Sequence, residues 1–298
     1  MRRRVLSIAL ITCLLPMLAQ AQPILRSPQP PVDVDFQADI TYASINGEDV
    51  KLNFARPKGA QGKLPCILVI HGGAWRAGDR SAHNDLIWKF AQRGYVSATI
   101  GYRFCPKHPF PAQVQDVKAA VRFLRGNAEK YHIDPNRIGA VGFSAGAHLS
   151  MMLGVMDKAD GLDDVGGFSE QSSKVNAVVS FFGPTDLTAE FPPPSVPLVK
   201  DFIGGTPSEK HEAHVKASPL TYVTSGDAPM LLFQGTKDPL VPYQQAIVML
   251  EAMTKAGVHG RVEMIPGASH GWGEPELTRT LLATCAFFDE NLKKNVAK

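Results

Sequence analysis

Short apolar runs and longer amphipathic stretches alternate along the chain. Strand-like runs occupy residues 64–70, 96–100, 138–143, 175–182, 230–233 and 261–265. The stretches between them carry apolar residues at helical spacing, as in the helix predicted over residues 111–125, where Val114, Val117, Val121 and Leu124 share one face. Mainly apolar strands that alternate with helices indicate an α/β fold with a mostly parallel central sheet flanked by helices.

The remaining periodic stretches complete this alternation. Helices are predicted over residues 82–92 and 145–156, around Ala246 to Met253, and over the last stretch, which carries Leu277 and Phe288. Before the first buried strand, two shorter strand-like stretches flank Asn46-Gly47, a dipeptide typical of a hairpin turn. We therefore expect one large domain over residues 36–298.

Residues 187–218 interrupt the alternation. This segment contains three consecutive prolines and a Gly-Gly pair, and it is too long for a simple connection between a strand and a helix. Long insertions in compact domains are often lids or binding loops, so the segment is a candidate cap over a site. An ordinary surface excursion is the alternative interpretation.

The N-terminus predicts export. Three arginines precede an apolar run from Val5 to Leu18, and Ala19-Gln20-Ala21 supplies a small-residue cleavage pattern. This order of regions is typical of a signal peptide over residues 1–21, with cleavage after Ala21 and a Pro-rich leader over residues 22–35. The run is short for a membrane span, so we expect a secreted or periplasmic protein without a membrane anchor.

Removal of the signal peptide changes the charge balance. The chain has 31 basic and 28 acidic residues, and three of the basic ones are Arg2, Arg3 and Arg4. The mature chain then has 28 of each and a formal net charge of zero, so it lacks the basic surface that nucleic acid requires. Cys66, Cys105 and Cys285 remain, an odd number that allows at most one intramolecular bridge. We expect buried thiols rather than a disulfide scaffold.

The strongest chemical motif is Gly142-Phe143-Ser144-Ala145-Gly146, located where a buried strand ends and a helix begins. A strained turn at this junction projects the serine hydroxyl above the sheet, and the flanking glycines remove side-chain clashes. The helix that follows directs backbone N–H groups towards developing negative charge. The motif therefore predicts Ser144 as a nucleophile.

A serine hydroxyl becomes nucleophilic when a base, itself oriented by a carboxylate, accepts its proton. Asp238 follows the strand over residues 230–233, and His270 follows the strand over residues 261–265. Both residues therefore lie at the carboxyl ends of strands, the edge where α/β sheets build their sites. Their order along the chain is serine, acid, histidine, which predicts His270 as the general base and Asp238 as its orienting acid.

A third segment supplies the expected oxyanion hole. His71-Gly72-Gly73-Ala74-Trp75 follows the strand over residues 64–70, and its glycines allow backbone N–H groups to turn into the site. We assign the N–H groups of Gly73, Ala74 and Ala145 to this hole. Three aromatic residues are expected to bind substrate: Trp75, Phe143 and Trp272. The mechanism needs no cofactor and no metal.

Four other polar residues are weaker candidates. Asp186 follows the strand directly after the nucleophile helix, so we interpret it as a loop-forming aspartate. His148 lies on the nucleophile's own helix, where core packing or a polar contact is the expected role. His211 and His214 are three residues apart and lack the H-E-x-x-H spacing of a zinc site, so we expect a solvated helix there.

With these residues in place, the chain resembles the hormone-sensitive-lipase-like branch of esterases, and more closely the bacterial secreted esterases grouped with feruloyl and acetylxylan esterases. The shared motifs are His71 to Trp75, Tyr102-Arg103 followed by Pro109 to Ala112, Ile133-Asp134-Pro135 leading into Gly142 to Gly146, Asp238 to Pro242, and His270-Gly271. The resemblance implies the α/β-hydrolase fold and a serine carboxylesterase, and it leaves the substrate open between feruloyl, acetyl and simpler esters.

Two departures keep alternatives open. The oxyanion loop reads Gly-Gly-Ala, and Phe143 stands where the lipase-like branch often has aspartate. The His-Gly-Gly-x-Trp loop is also similar to that of arylformamidases, although secretion argues against that role. A small secreted serine peptidase is a further alternative. A non-catalytic binding protein is disfavoured because every catalytic part is present.

Overall fold

A computed structural model describes residues 29–293. The predicted signal peptide and residues 22–28 of the leader lie outside the described residues. The eight strands are β1 (Val34–Ile45), β2 (Glu48–Pro57), β3 (Leu64–Ile70), β4 (Val96–Ile100), β5 (Ile133–Phe143), β6 (Ala177–Phe181), β7 (Met230–Gly235) and β8 (Gly260–Ile265). They form one sheet in the order β1-β2-β4-β3-β5-β6-β7-β8.

In the described part of the chain, eight α-helices connect or follow the strands. They are α1 (Asn84–Gln92), α2 (Ala112–Gly126), α3 (Ala128–Tyr131), α4 (Ala145–Val155), α5 (Val196–Ile203), α6 (His211–Lys216), α7 (Gln244–Ala256) and α8 (Glu276–Phe288). A short 3-10 turn, Arg80–His83, precedes α1. Over residues 29–293, every helix is too short or too polar to cross a membrane.

The sheet is parallel from β4 to β8 in space and antiparallel only at the β1 and β2 edge. The hairpin predicted at Asn46-Gly47 joins these two edge strands, and both turn residues have positive φ. All the buried strands predicted from the sequence are present. The predicted α/β class and the mostly parallel sheet are therefore confirmed.

Alternate side chains of each central strand are buried on opposite faces of the sheet. In β3, Cys66, Leu68 and Ile70 pack on the side that carries α2, α4 and α7, whereas Ile67 and Val69 pack on the side of α1 and α8. Successive strand side chains point to opposite faces, so a strand that is apolar throughout must be covered twice. This double burial holds the central strands in register and fixes the positions of the loops that follow them.

Two boundaries differ from the predictions. β5 begins at Ile133, five residues before the predicted start at Ile138. Pro135 suggests a turn in the sequence, but a register irregularity where Leu64 pairs with Ile133 accommodates a residue that has no N–H to donate. At the other end, β1 begins at Val34, within the segment assigned to the leader.

The interruption over residues 187–218 contains ordered elements. Both α5 and α6 lie within it, although the proline and glycine pattern suggested irregular structure. Its two ends meet, because the Leu187 N–H donates to Ser218 Oγ at 2.8 Å. We refer to residues 187–218 as the insertion, which lies between β6 and β7.

The three cysteines of the described part are free thiols. Cys66 is fully buried in β3, and burial raises the pKa of its thiol to about 12. Cys105 is also buried, and Cys285 is half-buried in α8. A thiol with so high a pKa is protonated at neutral pH, so Cys66 is a small apolar core residue, as the sequence analysis expects.

Candidate active site

Strand register brings four loops together at one edge of the sheet. Ile70 at the end of β3 pairs with Gly142 near the end of β5, so the loop over residues 71–75 lies beside the serine turn. Gly235 at the end of β7 pairs with Ile265 at the end of β8, so the loops that carry Asp238 and His270 are also neighbours. Parallel pairing thus places all four segments on the carboxyl edge.

The turn at Ser144 has the strained backbone that such a junction requires. Ser144 has φ of 53° and ψ of −118°, a conformation that non-glycine residues rarely adopt. A side chain at Gly142 would bring its Cβ to 2.1 Å from the Gly146 carbonyl oxygen, and one at Gly146 would approach the Ile70 carbonyl oxygen equally closely. Glycine is therefore needed on both sides of the serine for steric reasons.

Ser144, His270 and Asp238 form one hydrogen-bonded chain. His270 Nε2 lies 2.8 Å from Ser144 Oγ, and His270 Nδ1 lies 2.8 Å from Asp238 Oδ2. Because a carboxylate only accepts hydrogen bonds, Nδ1 carries the proton and Nε2 has the free lone pair that can accept the serine proton. The structure thus brings together the three residues that the sequence analysis selects.

Asp238 is held by four donors. Besides His270, its oxygens accept hydrogen bonds from Gln234 Nε2 at 3.0 Å, the Leu240 N–H at 2.8 Å and the Val241 N–H at 2.9 Å. Burial opposes ionisation, but the hydrogen bonds from His270 and the backbone outweigh it, so the pKa of the Asp238 carboxyl lies below its ordinary value. The carboxylate therefore remains charged and keeps the imidazole oriented.

The loop over residues 71–75 lies against the serine turn. A Cβ at Gly72 would lie 2.8 Å from the Phe143 carbonyl oxygen, so only glycine permits this approach. The Gly73 carbonyl accepts hydrogen bonds from the N–H groups of Arg76 and Ala77, which fixes the loop. Within residues 29–293, the N–H groups of Gly73, Ala74 and Ala145 have no intramolecular acceptor. These three donors are available to an oxyanion.

Side chains below the loop hold its shape. His71 Nδ1 donates to the Gly72 carbonyl at 2.7 Å, and its ring stacks on Tyr102 with centroids 4.5 Å apart. The Tyr102 hydroxyl donates to the His71 carbonyl, and the Cys105 N–H donates to the Trp75 carbonyl. Burial lowers the pKa of His71, which keeps its ring neutral. His71 therefore has the structural position that the sequence analysis expects.

A cavity of about 320 Å³ opens above Ser144 and His270. Trp75 and Phe143 line it, as expected from the sequence. Its other walls come from residues that the sequence reasoning missed: Phe182, Pro184, Phe191, Ser195, Leu198, Val199, Leu240 and Val241. We call this space the catalytic cavity; its walls are mainly apolar, which suits the acyl part of an ester.

The placement of Trp272 in the substrate pocket is wrong, because the side chain is not part of the cavity wall. The indole packs on Phe181 and Phe182 and donates from Nε1 to Thr280 Oγ1 at 3.1 Å. That hydrogen bond ties the His270 loop to α8 and turns the ring into the core. Phe182 takes the wall position instead, with its ring 4.6 Å from the His270 ring. The sequence signal that could have identified Phe182 is its position as an aromatic residue at the end of a buried strand.

Asp186 and His148, the weaker candidates for acid and base, make structural contacts. Asp186 Oδ1 accepts hydrogen bonds from the Thr188 N–H and hydroxyl, a local loop contact. His148 is fully buried, accepts from Trp75 Nε1 at 3.2 Å and contacts the Ala217 carbonyl through Nε2 at 2.7 Å. Burial lowers the pKa of His148 to about 4. Neither residue contacts Ser144 Oγ.

The expectation of a solvated helix at His211 to His214 is confirmed for His211 and wrong for His214. His211 is exposed, but His214 is fully buried because its face of α6 packs into the insertion. Its Nδ1 contacts the Lys210 carbonyl at 3.0 Å. Over residues 29–293, His, Cys, Asp and Glu form no cluster of three that could hold a metal ion.

The insertion packs directly on the catalytic loops. Ser195 Oγ donates to the Leu240 carbonyl at 2.8 Å, next to the Asp238 loop. Phe202 stacks on Trp75 with centroids 4.1 Å apart and an interplanar angle of 10°. Asp201 forms an ion pair with Arg76 at 3.3 Å. The insertion therefore forms one side of the catalytic cavity.

Comparison with known proteins identifies a family and several related chains. The BD-FAE family model matches residues 52–253, a range that contains the serine turn and Asp238. The probable carboxylic ester hydrolase LipM of Mycobacterium tuberculosis is 30% identical over 72% of this chain, and the match spans 51% of LipM. The chain thus covers about half the length of that relative.

Two solved structures are similar over nearly their whole length. A truncated carbohydrate esterase from gut microbiota is 29% identical with a TM-score of 0.78, and the match covers 89% of this chain and 99% of that one. A thermophilic esterase from Thermogutta terrifontis is 25% identical with a TM-score of 0.73 over 91% and 99% of the two chains. The family match extends over most of the chain and agrees with these structures, so this chain belongs to the BD-FAE family and has the α/β-hydrolase fold.

Proposed function

We propose that this protein is a carboxylic ester hydrolase that uses Ser144, His270 and Asp238 in an acyl-enzyme mechanism. The observation that carries this proposal is the hydrogen-bonded chain from Asp238 through His270 to Ser144, with 2.8 Å at each step. The names of LipM and of both structural neighbours support ester hydrolysis for related chains. Geometry and family therefore favour the same reaction class.

The first half of the reaction is acylation. Ser144 Oγ attacks the ester carbonyl carbon while its proton passes to His270 Nε2. The carbonyl oxygen becomes an oxyanion that the N–H groups of Gly73, Ala74 and Ala145 stabilise. Collapse of this intermediate breaks the bond to the alcohol oxygen, which takes the proton from Nε2 and leaves as the free alcohol.

The second half releases the acid. Water gives a proton to His270 Nε2 and attacks the acyl carbon, so a second oxyanion forms in the same place. Its collapse breaks the bond to Ser144 Oγ, which recovers the proton from Nε2. Asp238 stays ionised throughout and stabilises the imidazolium. Both halves require an imidazole whose Nε2 can accept a proton at the start.

For the substrate, we propose feruloyl or acetyl esters of plant polysaccharide. The support is the apolar catalytic cavity with Trp75, Phe143 and Phe182 in its walls, together with the carbohydrate esterase among the structural neighbours. Export through the N-terminal signal fits a polymeric substrate outside the cell. N-terminal sequencing of the exported protein should begin at Gln22.

The test compares wild type with Ser144→Ala on nitrophenyl acetate, butyrate and octanoate, methyl ferulate and acetylated xylan. We expect Ser144→Ala to lose about 10⁶-fold in kcat, because the nucleophile is absent. Ser150→Ala, on the same helix with its hydroxyl bonded to the Gly146 carbonyl, is the matched control and should stay active. Near-native hydrolysis by Ser144→Ala contradicts the mechanism, and activity on simple nitrophenyl esters alone contradicts the proposed substrate.

A further inference from the structure

A second cavity lies within the insertion, next to the catalytic cavity. It has a volume of about 570 Å³ and is lined by residues between Leu187 and His214. Phe191 and Val199 line both cavities, so the two spaces share a wall. We call it the insertion cavity. Its size lies in the range of small-molecule sites.

The insertion cavity differs from the catalytic cavity in its polar groups. Glu190 and Lys200 lie at its rim and are exposed, Thr206 is half-buried, and the imidazole of His214 is fully buried. Apolar side chains such as Phe191 and Val199 form the rest of the wall. This combination suits a ring with an apolar face and several hydroxyl groups.

His214 supplies a buried acceptor. Its Nδ1 contacts the Lys210 carbonyl at 3.0 Å, and a carbonyl only accepts, so the proton of the neutral ring is on Nδ1. Nε2 therefore carries a lone pair. Within the described residues this atom is buried and has no hydrogen-bond partner. A buried acceptor without a donor is costly, so Nε2 is poised to accept a hydrogen bond from a ligand hydroxyl.

We propose that the insertion cavity binds the hydroxyl-bearing alcohol part of the ester, with His214 Nε2 as the acceptor for one of its hydroxyl groups. This inference rests on the proposed ester hydrolysis at Ser144. The catalytic cavity takes the acyl group. The insertion cavity adjoins it at Phe191 and Val199, so the alcohol part of a bound ester extends past these two side chains. A polyol ester is then preferred over an ester of an apolar alcohol of the same shape.

The test uses two acetates of six-membered rings, a mono-O-acetylated methyl xylopyranoside and cyclohexyl acetate. The first carries two free hydroxyl groups, a ring oxygen and a methoxy group, and the second carries none of these. The readout is the ratio of their kcat/KM values. We expect His214→Leu to lower this ratio about ten-fold, because the hydroxyl loses its acceptor. Ala189→Phe, which fills the same cavity from another position, should also lower the ratio.

His211→Leu is the matched control, since His211 is exposed on the same helix, and it should keep the wild-type ratio. The inference is overturned if His214→Leu and Ala189→Phe both keep the wild-type ratio, whether kcat/KM is unchanged or falls equally for the two acetates. If Ser144→Ala is inactive and the two cavity variants keep the wild-type ratio, the proposed ester hydrolysis is supported. In that case only the proposed role of the insertion cavity is wrong. Hydrolysis that persists in Ser144→Ala contradicts the proposed function itself.

Discussion

The strand-end loops and the insertion border the same cavity, but they are built on different principles. Ser144 and Asp238 follow central strands whose register is fixed by burial on both faces of the sheet. The insertion lies outside the sheet and is held by side-chain contacts such as Ser195 to the Leu240 carbonyl and Phe202 on Trp75. The first region fixes the distances that chemistry requires, and the second sets the shape and polarity around the substrate.

The largest effect is expected from a change in the strand-end loops that keeps their shape. Asp238→Asn removes the charge and allows the amide to donate to His270 Nδ1, which favours the wrong imidazole tautomer. We expect kcat to fall about 10⁴-fold with little change in KM. The measurement is steady-state hydrolysis of nitrophenyl butyrate.

Asp186→Asn is the matched control for this substitution. Asp186 also follows a central strand, yet among residues 29–293 the hydrogen bonds to its carboxylate come only from Thr188. Activity of this variant should stay within a few fold of wild type, since an asparagine oxygen can still accept both hydrogen bonds. A large loss in Asp186→Asn together with an active Asp238→Asn contradicts the assignment of the acid.

The sequence allowed the strand-end region to be predicted almost completely. Strand, motif and helix occur in the required order around Ser144, and the acid and histidine each follow a recognisable strand. The constraint there is steric: a Cβ at Gly142 would lie 2.1 Å from the Gly146 carbonyl oxygen, and one at Gly146 would lie 2.1 Å from the Ile70 carbonyl oxygen at the end of β3. Such close approaches admit only glycine, and a required glycine is visible in the sequence.

The cavity walls could not be predicted in the same way. Whether Trp272 faces substrate or core depends on its hydrogen bond to Thr280, a residue on a different element. His214 is buried because α6 packs within the insertion, which the pattern of residues 187–218 does not reveal. These positions depend on tertiary packing, and propensity or spacing carries little information about it.

A buried histidine links the two regions and gives the next largest effect. His148 on α4 contacts Trp75 beside the oxyanion loop and the Ala217 carbonyl at the end of the insertion. Burial lowers the pKa of His148 to about 4, whereas the unfolded chain has an ordinary value near 6.5. Below pH 6.5 the unfolded state therefore binds more protons than the folded state, and stability falls as pH falls.

Between pH 7.5 and pH 5, this single residue should reduce the free energy of unfolding by about 2 kcal/mol. In His148→Gln, which does not titrate, the loss over the same interval should be smaller by that amount. Urea unfolding at the two pH values measures the difference. His211→Gln replaces an exposed histidine and should follow wild type; identical pH dependence in wild type and His148→Gln contradicts the role of His148.

The smallest expected effect tests whether the catalytic cavity binds the acyl group of the ester. Leu198 lies on α5 of the insertion and lines only the catalytic cavity. Leu198→Ala enlarges the space for the acyl group, and one or two methylene groups in an apolar pocket change kcat/KM by roughly ten-fold or more. We expect the ratio of kcat/KM for nitrophenyl octanoate over nitrophenyl acetate to rise about ten-fold.

Leu220→Ala controls for the loss of a half-buried leucine, because Leu220 packs on the core and lines neither cavity. Its ratio of octanoate to acetate hydrolysis should match wild type. If Leu198→Ala instead changes the preference between the xylopyranoside acetate and cyclohexyl acetate and leaves acyl length preference unchanged, the alcohol occupies the catalytic cavity and the two assignments must be exchanged. The insertion would still set specificity, but its two walls would act on opposite halves of the ester.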